Sequence, residues 1–365
     1  MVLQLGLVGL PNVGKSTLFN ALTQAGATVA NYPFTTIDPN VGVVPVPDPR
    51  LERIAEIVRP QQIVPATLRV VDIAGLVKGA SHGEGLGNQF LSHIRAVDAV
   101  AMVVRCFADE NVAHVTPTLD PIEDIETVQL ELILSDLELV ERQLERVRGR
   151  AKANPREFAG ELQALESVAE RLRGGEVLRR ADLGDAERDA IGPVDLLTVK
   201  PLVYVANVNE DDLPQGGPLA QRVREYAEGQ NEATVVLCAA LDAELASWEP
   251  DDARAYAEEL GIESSGLERF IEVGYALLDY ITFFTTTGAK EVRAWNLLRG
   301  QTALEAAGRI HTDMERGFIR AEVVSYEALD RAGSIAQARE LGALRLEGRD
   351  YVVQDGDVLH IRFNV

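Results

Sequence analysis

Gly9-Leu10-Pro11-Asn12-Val13-Gly14-Lys15-Ser16 is the stretch on which the reading of the fold turns. A short apolar segment, residues 2–8, runs into it and reads as a buried strand. Thr17-Leu18-Phe19-Asn20-Ala21-Leu22 leaves it and reads as the first turns of a helix. Strand, glycine loop and helix in that order are the setting that a phosphate-binding loop requires. The glycines let backbone N–H groups converge on phosphate oxygens, and the helix N-terminus adds a partial positive charge. Lys15 is then the cation that reaches the terminal phosphates, and Ser16 offers a hydroxyl to Mg²⁺. With Gly9, Asn12, Val13, Gly14 and Thr17 completing the cradle, the spacing predicts a nucleoside triphosphate site.

Outward from this loop, strands and helices alternate. Residues 3–8, 41–46, 67–72 and 99–106 are strand candidates, and 90–96 supplies a helix between the last two. Such alternation predicts an α/β fold with a mostly parallel sheet, its ligand at the carboxyl ends of the strands. From Pro121 the texture changes. Leu130, Ile133, Leu137, Val140, Leu144 and Val147 recur at steps of three and four, a heptad seam, with no Gly or Pro between Pro121 and Gly149. After a break, Phe158, Leu162, Leu165, Ala169 and Leu172 resume the helical period. The reading is an antiparallel helical coiled coil, residues 121–197, inserted in a nucleotide domain of residues 1–120 and 198–280. Strand signals return at 202–206 and 234–239, and a helix over 266–280 closes that domain. Residues 281–365 form a mixed-strand module with a helix over 302–312 and a turn at Asp355-Gly356-Asp357 before the last strand.

The chain carries 365 residues, 46% of them hydrophobic, enough for two or three packed cores. No run is long and apolar enough for a membrane span, and the N-terminus does not have the pattern of a signal peptide. Two isolated cysteines, Cys106 and Cys238, suit a reducing compartment, so the expected location is cytoplasmic. A net charge of −22 argues against a generic nucleic-acid coat and against DNA as a partner. The acidity is uneven. Between Glu141 and Glu157 stand Arg142, Arg146, Arg148, Arg150, Lys152 and Arg156 against Glu141, Glu145 and Glu157, a basic cluster at the expected tip of the hairpin.

Three further segments complete the site. Asp72-Ile73-Ala74-Gly75 ends an apolar strand, where Asp72 can hold Mg²⁺ through water and the Gly75 N–H can meet the γ-phosphate. Between it and the phosphate loop lies Asn31-Tyr32-Pro33-Phe34-Thr35-Thr36-Ile37, whose Thr36 or Thr35 can join the Mg²⁺ shell when a triphosphate is bound. Asn207-Val208-Asn209-Glu210 stands where a GTPase carries Asn-Lys-x-Asp. Val208 replaces the Lys and the longer Glu210 replaces the Asp that accepts two hydrogen bonds from guanine. A site built on a base's polar edge rejects the wrong base strongly, so this departure predicts ATP over GTP.

In combination the phosphate loop, Asn31-Tyr32-Pro33-Phe34, Asp72-Ile73-Ala74-Gly75-Leu76-Val77, Gly83-Glu84-Gly85-Leu86-Gly87-Asn88 and Asn207-Val208-Asn209-Glu210 resemble the YchF family, the Obg-like ATPases. The resemblance runs from Leu3 to Val365. It implies a P-loop GTPase-type domain, an inserted helical coiled coil and a C-terminal TGS domain of β-grasp form. It further implies ATP hydrolysis with Mg²⁺ and K⁺, and association with ribosomes, through the large subunit or its RNA, in translation or stress regulation; the alternatives that stay open are a GTPase and a nucleotide-gated ribosome- or RNA-binding module whose hydrolysis is incidental.

One catalytic element is missing from its usual place. Small GTPases orient the attacking water with a Gln directly after Asp-x-x-Gly, where this chain has Leu76. Of five histidines, His82 in the glycine-rich stretch and His114 in a polar loop after the 99–106 strand fall near the expected site. The resemblance favours His114, whose loop is similar to the family segment that carries the water-orienting His. Asn12 has two readings: a turn residue, or the holder of a K⁺ that stands in for an arginine finger, as in related potassium-activated enzymes.

Overall fold

The computed structural model describes residues 3–27, 40–73, 86–109, 119–262, 264–288 and 290–364. Its strands, in chain order, are β1 (Gln4–Val8), β2 (Val41–Pro45), β3 (Gln62–Val64), β4 (Thr67–Asp72), β5 (Ala99–Arg105), β6 (Leu202–Asn207), β7 (Ala233–Leu237), β8 (Tyr280–Thr286), β9 (Glu291–Leu298), β10 (Phe318–Ser325), β11 (Arg345–Glu347) and β12 (Asp357–Phe363). The first sheet runs β2-β4-β1-β5-β6-β7 and is parallel from β4 through β7. β5 and β6 are buried along their whole length, as strands covered on both faces must be. The phosphate-loop helix, Lys15–Ala27, starts at the carboxyl end of β1, the central position of this sheet.

Between the neighbouring strands β5 and β6 the chain leaves to build the helical insertion. Asp120 caps the Pro121–Ala151 helix by accepting from the N–H groups of Ile122 and Glu123 (2.9 and 3.4 Å), with Pro121 at the first turn. Pro155–Arg173 is the returning helix. Ion pairs Arg173–Glu141 (2.7 Å), Arg148–Glu166 (2.8 Å) and Arg150–Glu161 (3.1 Å) set the two antiparallel. Ile133, Val140, Leu144 and Val147 are buried against Leu165, Val168, Ala169 and Leu172.

Leu130 departs from the expected seam: it is 53% exposed. The returning helix ends at Arg173, level with Glu141, so residues N-terminal to that point have little opposing helix. There the long helix instead buries Ile125, Val128 and Leu132, and it packs on β5 and on the Gly217–Glu228 helix. Its foot is bolted to the chain's return. The buried Asp136 carboxylate accepts from Leu197 N (2.8 Å), Thr198 N (2.7 Å) and Thr198 Oγ1 (2.6 Å). Burial pushes its carboxyl up, and these three donors pull it back.

Two compact units emerge, 1–42 with 69–273, and 43–68 with 274–365. Residues 43–68, read from sequence as part of the nucleotide domain, therefore group with the C-terminal module. The reason is pairing: β3 lies parallel to β9, and the Pro49–Val58 helix packs on β9 and on the Tyr326–Ala332 helix. Arg50 joins Asp355 at 2.8 Å, and Arg53 joins Asp330 at 2.7 Å. The second sheet runs β11-β10-β12-β8-β9-β3, with β8 parallel to β12 and antiparallel to β9. The Ala303–Ile310 helix covers Ile281, Phe283, Leu297, Val323 and Leu359 with Ala303, Ala306 and Ala307. First and last long strands side by side, with one helix across the sheet, is β-grasp topology. The expected helix over 302–312 is observed with Thr302 as its cap, whereas the expected 266–280 helix stops at Leu277 and Tyr280 opens β8.

The buried seam and the exposed Leu130 give a paired test. Leu165→Ala, which empties a fully buried site, is expected to cost about 2–5 kcal/mol in urea unfolding. Leu130→Ala is expected to stay within about 0.5 kcal/mol.

Candidate nucleotide site

β1 and β4 are parallel neighbours, and this register brings the phosphate loop and Asp72 together. Leu7 lies opposite Asp72, so the end of β4 reaches the first turn of the Lys15–Ala27 helix. Lys15, 8% exposed, is ion-paired through its ammonium with Asp72, and Ser16 Oγ stands 3.4 Å from the other Asp72 oxygen. Two adjacent residues of the loop and a carboxylate more than fifty positions downstream converge on one point, an arrangement suited to a triphosphate with Mg²⁺.

The loop's backbone explains its sequence. Gly14 has φ +90°, and a Cβ there would run into the Asn207 amide. A Cβ on Gly9 would stand 2.6 Å from the Val103 carbonyl. Asn12 is also left-handed, with φ 63°, a conformation that Asn tolerates better than other non-glycine residues. Its place in the loop thus has a backbone reason. Val13 is buried, and Thr17 is exposed on the first helical turn.

Asn207, at the end of β6, ties the site together. Its Nδ2 donates to the Val13 carbonyl at 2.9 Å, and its Oδ1 accepts from Ala239 N at 2.9 Å. A single buried amide therefore joins the phosphate loop, β6 and the turn into the Ala239–Leu245 helix. Val208 follows, 2% exposed, with its N–H on the Leu237 carbonyl (2.9 Å). Apolar Val208 can be buried here where the Lys of the guanine pattern would have to bring a charge. Glu210 opens a short 3₁₀ turn, Glu210–Asp212, and accepts from the Tyr256 hydroxyl at 2.6 Å. Cys238 sits opposite, its thiol pushed up chiefly by burial and further by the charges of Asp242 and Glu210.

Thus Gly9, Asn12, Val13, Gly14, Lys15, Ser16, Thr17, Asp72, Asn207, Val208 and Glu210 fall on one edge of the first sheet. Thr36, Gly75, Leu76, His82 and His114 lie outside the described residues. Sequence reading missed Tyr256 and the second task of Asn207. Tyr256 carried no signal, since it lies on a helix, Pro250–Glu259, beyond every recognised motif.

A parallel sheet with a phosphate loop on its central strand, and Lys15, Ser16 and Asp72 gathered at the start of the helix that follows it, defines a P-loop nucleotide hydrolase of the GTPase type. Comparison with known proteins agrees. A family model described as a 50S ribosome-binding GTPase matches residues 4–136, and the YchF GTPase C-terminal family, described as a protein of unknown function, matches residues 280–364. The ribosome-binding ATPase YchF of Bacillus subtilis is 52% identical over the whole of both chains. That of Haemophilus influenzae is 51% identical over 99% of each. The solved structure of the Schizosaccharomyces pombe YchF GTPase is 37% identical and superposes with a TM-score of 0.88, covering 99% of this chain and 97% of the other. The chain belongs to the YchF family. Among the described residues, no helix is long and apolar enough to cross a membrane.

If Asn207 is the tie, its loss should act on both stability and binding. Asn207→Ala orphans the Val13 carbonyl and the Ala239 N–H, each at about 1–3 kcal/mol. Thermal unfolding and nucleotide titration should both show the loss. Asn207→Asp keeps the acceptor for the Ala239 N–H but sets a buried carboxylate oxygen against the Val13 carbonyl, so it should lose stability as well and not restore the parent.

Proposed function

We propose that this protein is an ATPase that hydrolyses ATP to ADP and phosphate, prefers ATP over GTP, and works as a nucleotide-dependent switch on the ribosome. The observation that carries the reading is the convergence of Lys15, Ser16 and Asp72 on one point, joined through Asn207 to a base loop that ends in Glu210. Lys15 compensates the charge of the β- and γ-phosphates in the ground and transition states. Ser16 Oγ and the Asp72 carboxylate, 3.4 Å apart, fit as the residues that hold Mg²⁺. Thr36 joins them when the triphosphate is present, and the Gly75 N–H meets the γ-phosphate. Mg²⁺ held there would supply charge neutralisation for the transferred phosphoryl group.

The attacking water needs a polar partner, because Leu76 has no hydrogen-bonding group. His114, which follows β5 in the chain, is that partner in this reading. Asn12 is the residue through which K⁺ would act, in addition to the turn that its φ of 63° serves.

Ribosome association is consistent with the charge of the hairpin tip. Arg142, Arg148 and Arg150 are paired with Glu138, Glu166 and Glu161. Exposed Arg146, Lys152 and Arg156 make no ion pair among the described residues, so the tip offers cations to a phosphate backbone. The β-grasp module, the TGS domain of this reading, is the second docking element, and large-subunit RNA is the expected contact. The curated relatives are named ribosome-binding ATPases.

Titration of labelled nucleotides in Mg²⁺ buffer should give a lower Kd for ATP than for GTP, and Lys15→Ala should abolish hydrolysis; tighter GTP binding sinks the ATP assignment. Single-turnover hydrolysis should fall on the order of 10²-fold in His114→Ala, with ATP affinity nearly unchanged. The same assay should run faster in K⁺ than in Na⁺, and Asn12→Asp should blunt that difference. A parent rate in His114→Ala would remove His114 from the mechanism.

A further inference from the structure

The Glu210 carboxylate is not solitary. Its Oε1 accepts from the Tyr256 hydroxyl at 2.6 Å, and its Oε2 makes no hydrogen bond among the described residues. Tyr256 in turn packs on Trp248, with ring centroids 5.4 Å apart and planes at 55°. Both aromatics belong to the segment between the Ala239–Leu245 and Gly266–Leu277 helices. Ala257, next to Tyr256, lines a small hollow with Leu213, Cys238 and Leu241. Through Tyr256 and Ala257 the Pro250–Glu259 helix thus meets the loop after β6 and the start of the helix after β7.

We propose that Tyr256 is a positioning residue for base selection, one that occupies half of the Glu210 carboxylate so that a single oxygen remains to meet the base. This inference rests on the ATP assignment above and supplies a cause for it. Guanine presents two donors side by side, N1–H and N2–H, and both carboxylate oxygens are needed to accept them. With one lone pair of Oε1 taken by Tyr256 and the carboxylate thereby held in one orientation, that bidentate pairing is disfavoured. Adenine presents one donor, N6–H, beside an acceptor, N1. A single free oxygen suits N6–H, whereas a second free carboxylate oxygen would face the N1 lone pair. The length of Glu210 is then explained: the extra methylene, relative to Asp, lets the carboxylate reach Tyr256 while still serving the base. The hydrogen bond to Glu210 raises the Tyr256 hydroxyl above its ordinary range.

The test uses the full chain and three proteins: parent, Tyr256→Phe and Tyr256→Ala, each titrated with ATP and GTP and assayed for hydrolysis. Tyr256→Phe keeps the ring on Trp248 and removes only the hydroxyl. The expected result is a fall in the ratio of ATP to GTP affinity on the order of tenfold, the value of one hydrogen bond to a charged group. KM for ATP should move far more than kcat, because Tyr256 positions a binding group and touches no reacting atom. Tyr256→Phe with the parent's ratio overturns the proposal, and a changed ratio in Tyr256→Ala alone assigns the effect to ring packing and overturns it equally. A parent protein without ATP preference overturns the ATP assignment itself, whatever Tyr256 does.

Discussion

One buried side chain, Asn207, holds the nucleotide site in register. Parallel strands fix the spacing of β1, β5, β6 and β7, but they do not fix the loops at their carboxyl ends. Asn207 does so with one donor and one acceptor, each satisfied at 2.9 Å. Within a low-dielectric interior such a bond is strong, and removing either partner leaves a backbone group unpaired. The same residue limits its neighbours: Gly14 must be glycine because the Asn207 amide occupies the space that a Cβ would take. A motif that reads as a nucleotide contact is therefore first a structural clasp.

The helical insertion shows how a long appendage can be carried on this frame. The hairpin is held by apolar packing along its length, while its foot is held by polar groups. Besides Asp136, a cluster surrounds Tyr204 on β6. The Tyr204 hydroxyl accepts from Gln129 Nε2 at 2.7 Å and from Arg180 Nη2 at 2.9 Å. Arg179 and Arg180 both pair with Glu232, at 2.5 and 2.6 Å, in a nearly buried site. Burial raises the Tyr204 hydroxyl above its ordinary range, and Glu232 adds to the effect. Gln129 belongs to the outgoing helix, Arg179 and Arg180 to the returning chain, and Tyr204 lies on the strand that ends at Asn207. Hairpin orientation and base loop are thus attached to the same strand. Buried ion pairs of this kind add little net stability, because desolvation offsets much of their attraction.

In the second unit, parallel pairing of β8 with β12 puts the two ends of the β-grasp segment side by side. The segment 43–68 joins this unit from far upstream in sequence. Its apolar content is no different from that of the rest of the chain and β3 is three residues long, so nothing in its composition announces a partner. The partner is decided by an exposed strand edge at β9 and by carboxylates, Asp355 and Asp330, that meet Arg50 and Arg53.

The sequence by itself determined the elements whose physics is local. The phosphate loop demands glycines and a following helix, buried parallel strands demand continuous apolar runs, and heptad spacing demands a helical partner. Each of these follows from backbone stereochemistry or from side-chain period, which are written in neighbouring residues. Lys15, Ser16, Asp72 and Asn207 could be picked out for the same reason. What only the tertiary structure decided depends on contacts across long separations. Leu130 satisfies the heptad period and is exposed, because the length of the opposing helix, not the period, determines where the seam ends. Residues 43–68 alternate like their neighbours, yet pair with a strand more than two hundred residues away. Tyr256 meets Glu210 across 46 positions, through a hydrogen bond that no local pattern encodes. Local periodicity specifies which face of an element is buried; it does not specify against what.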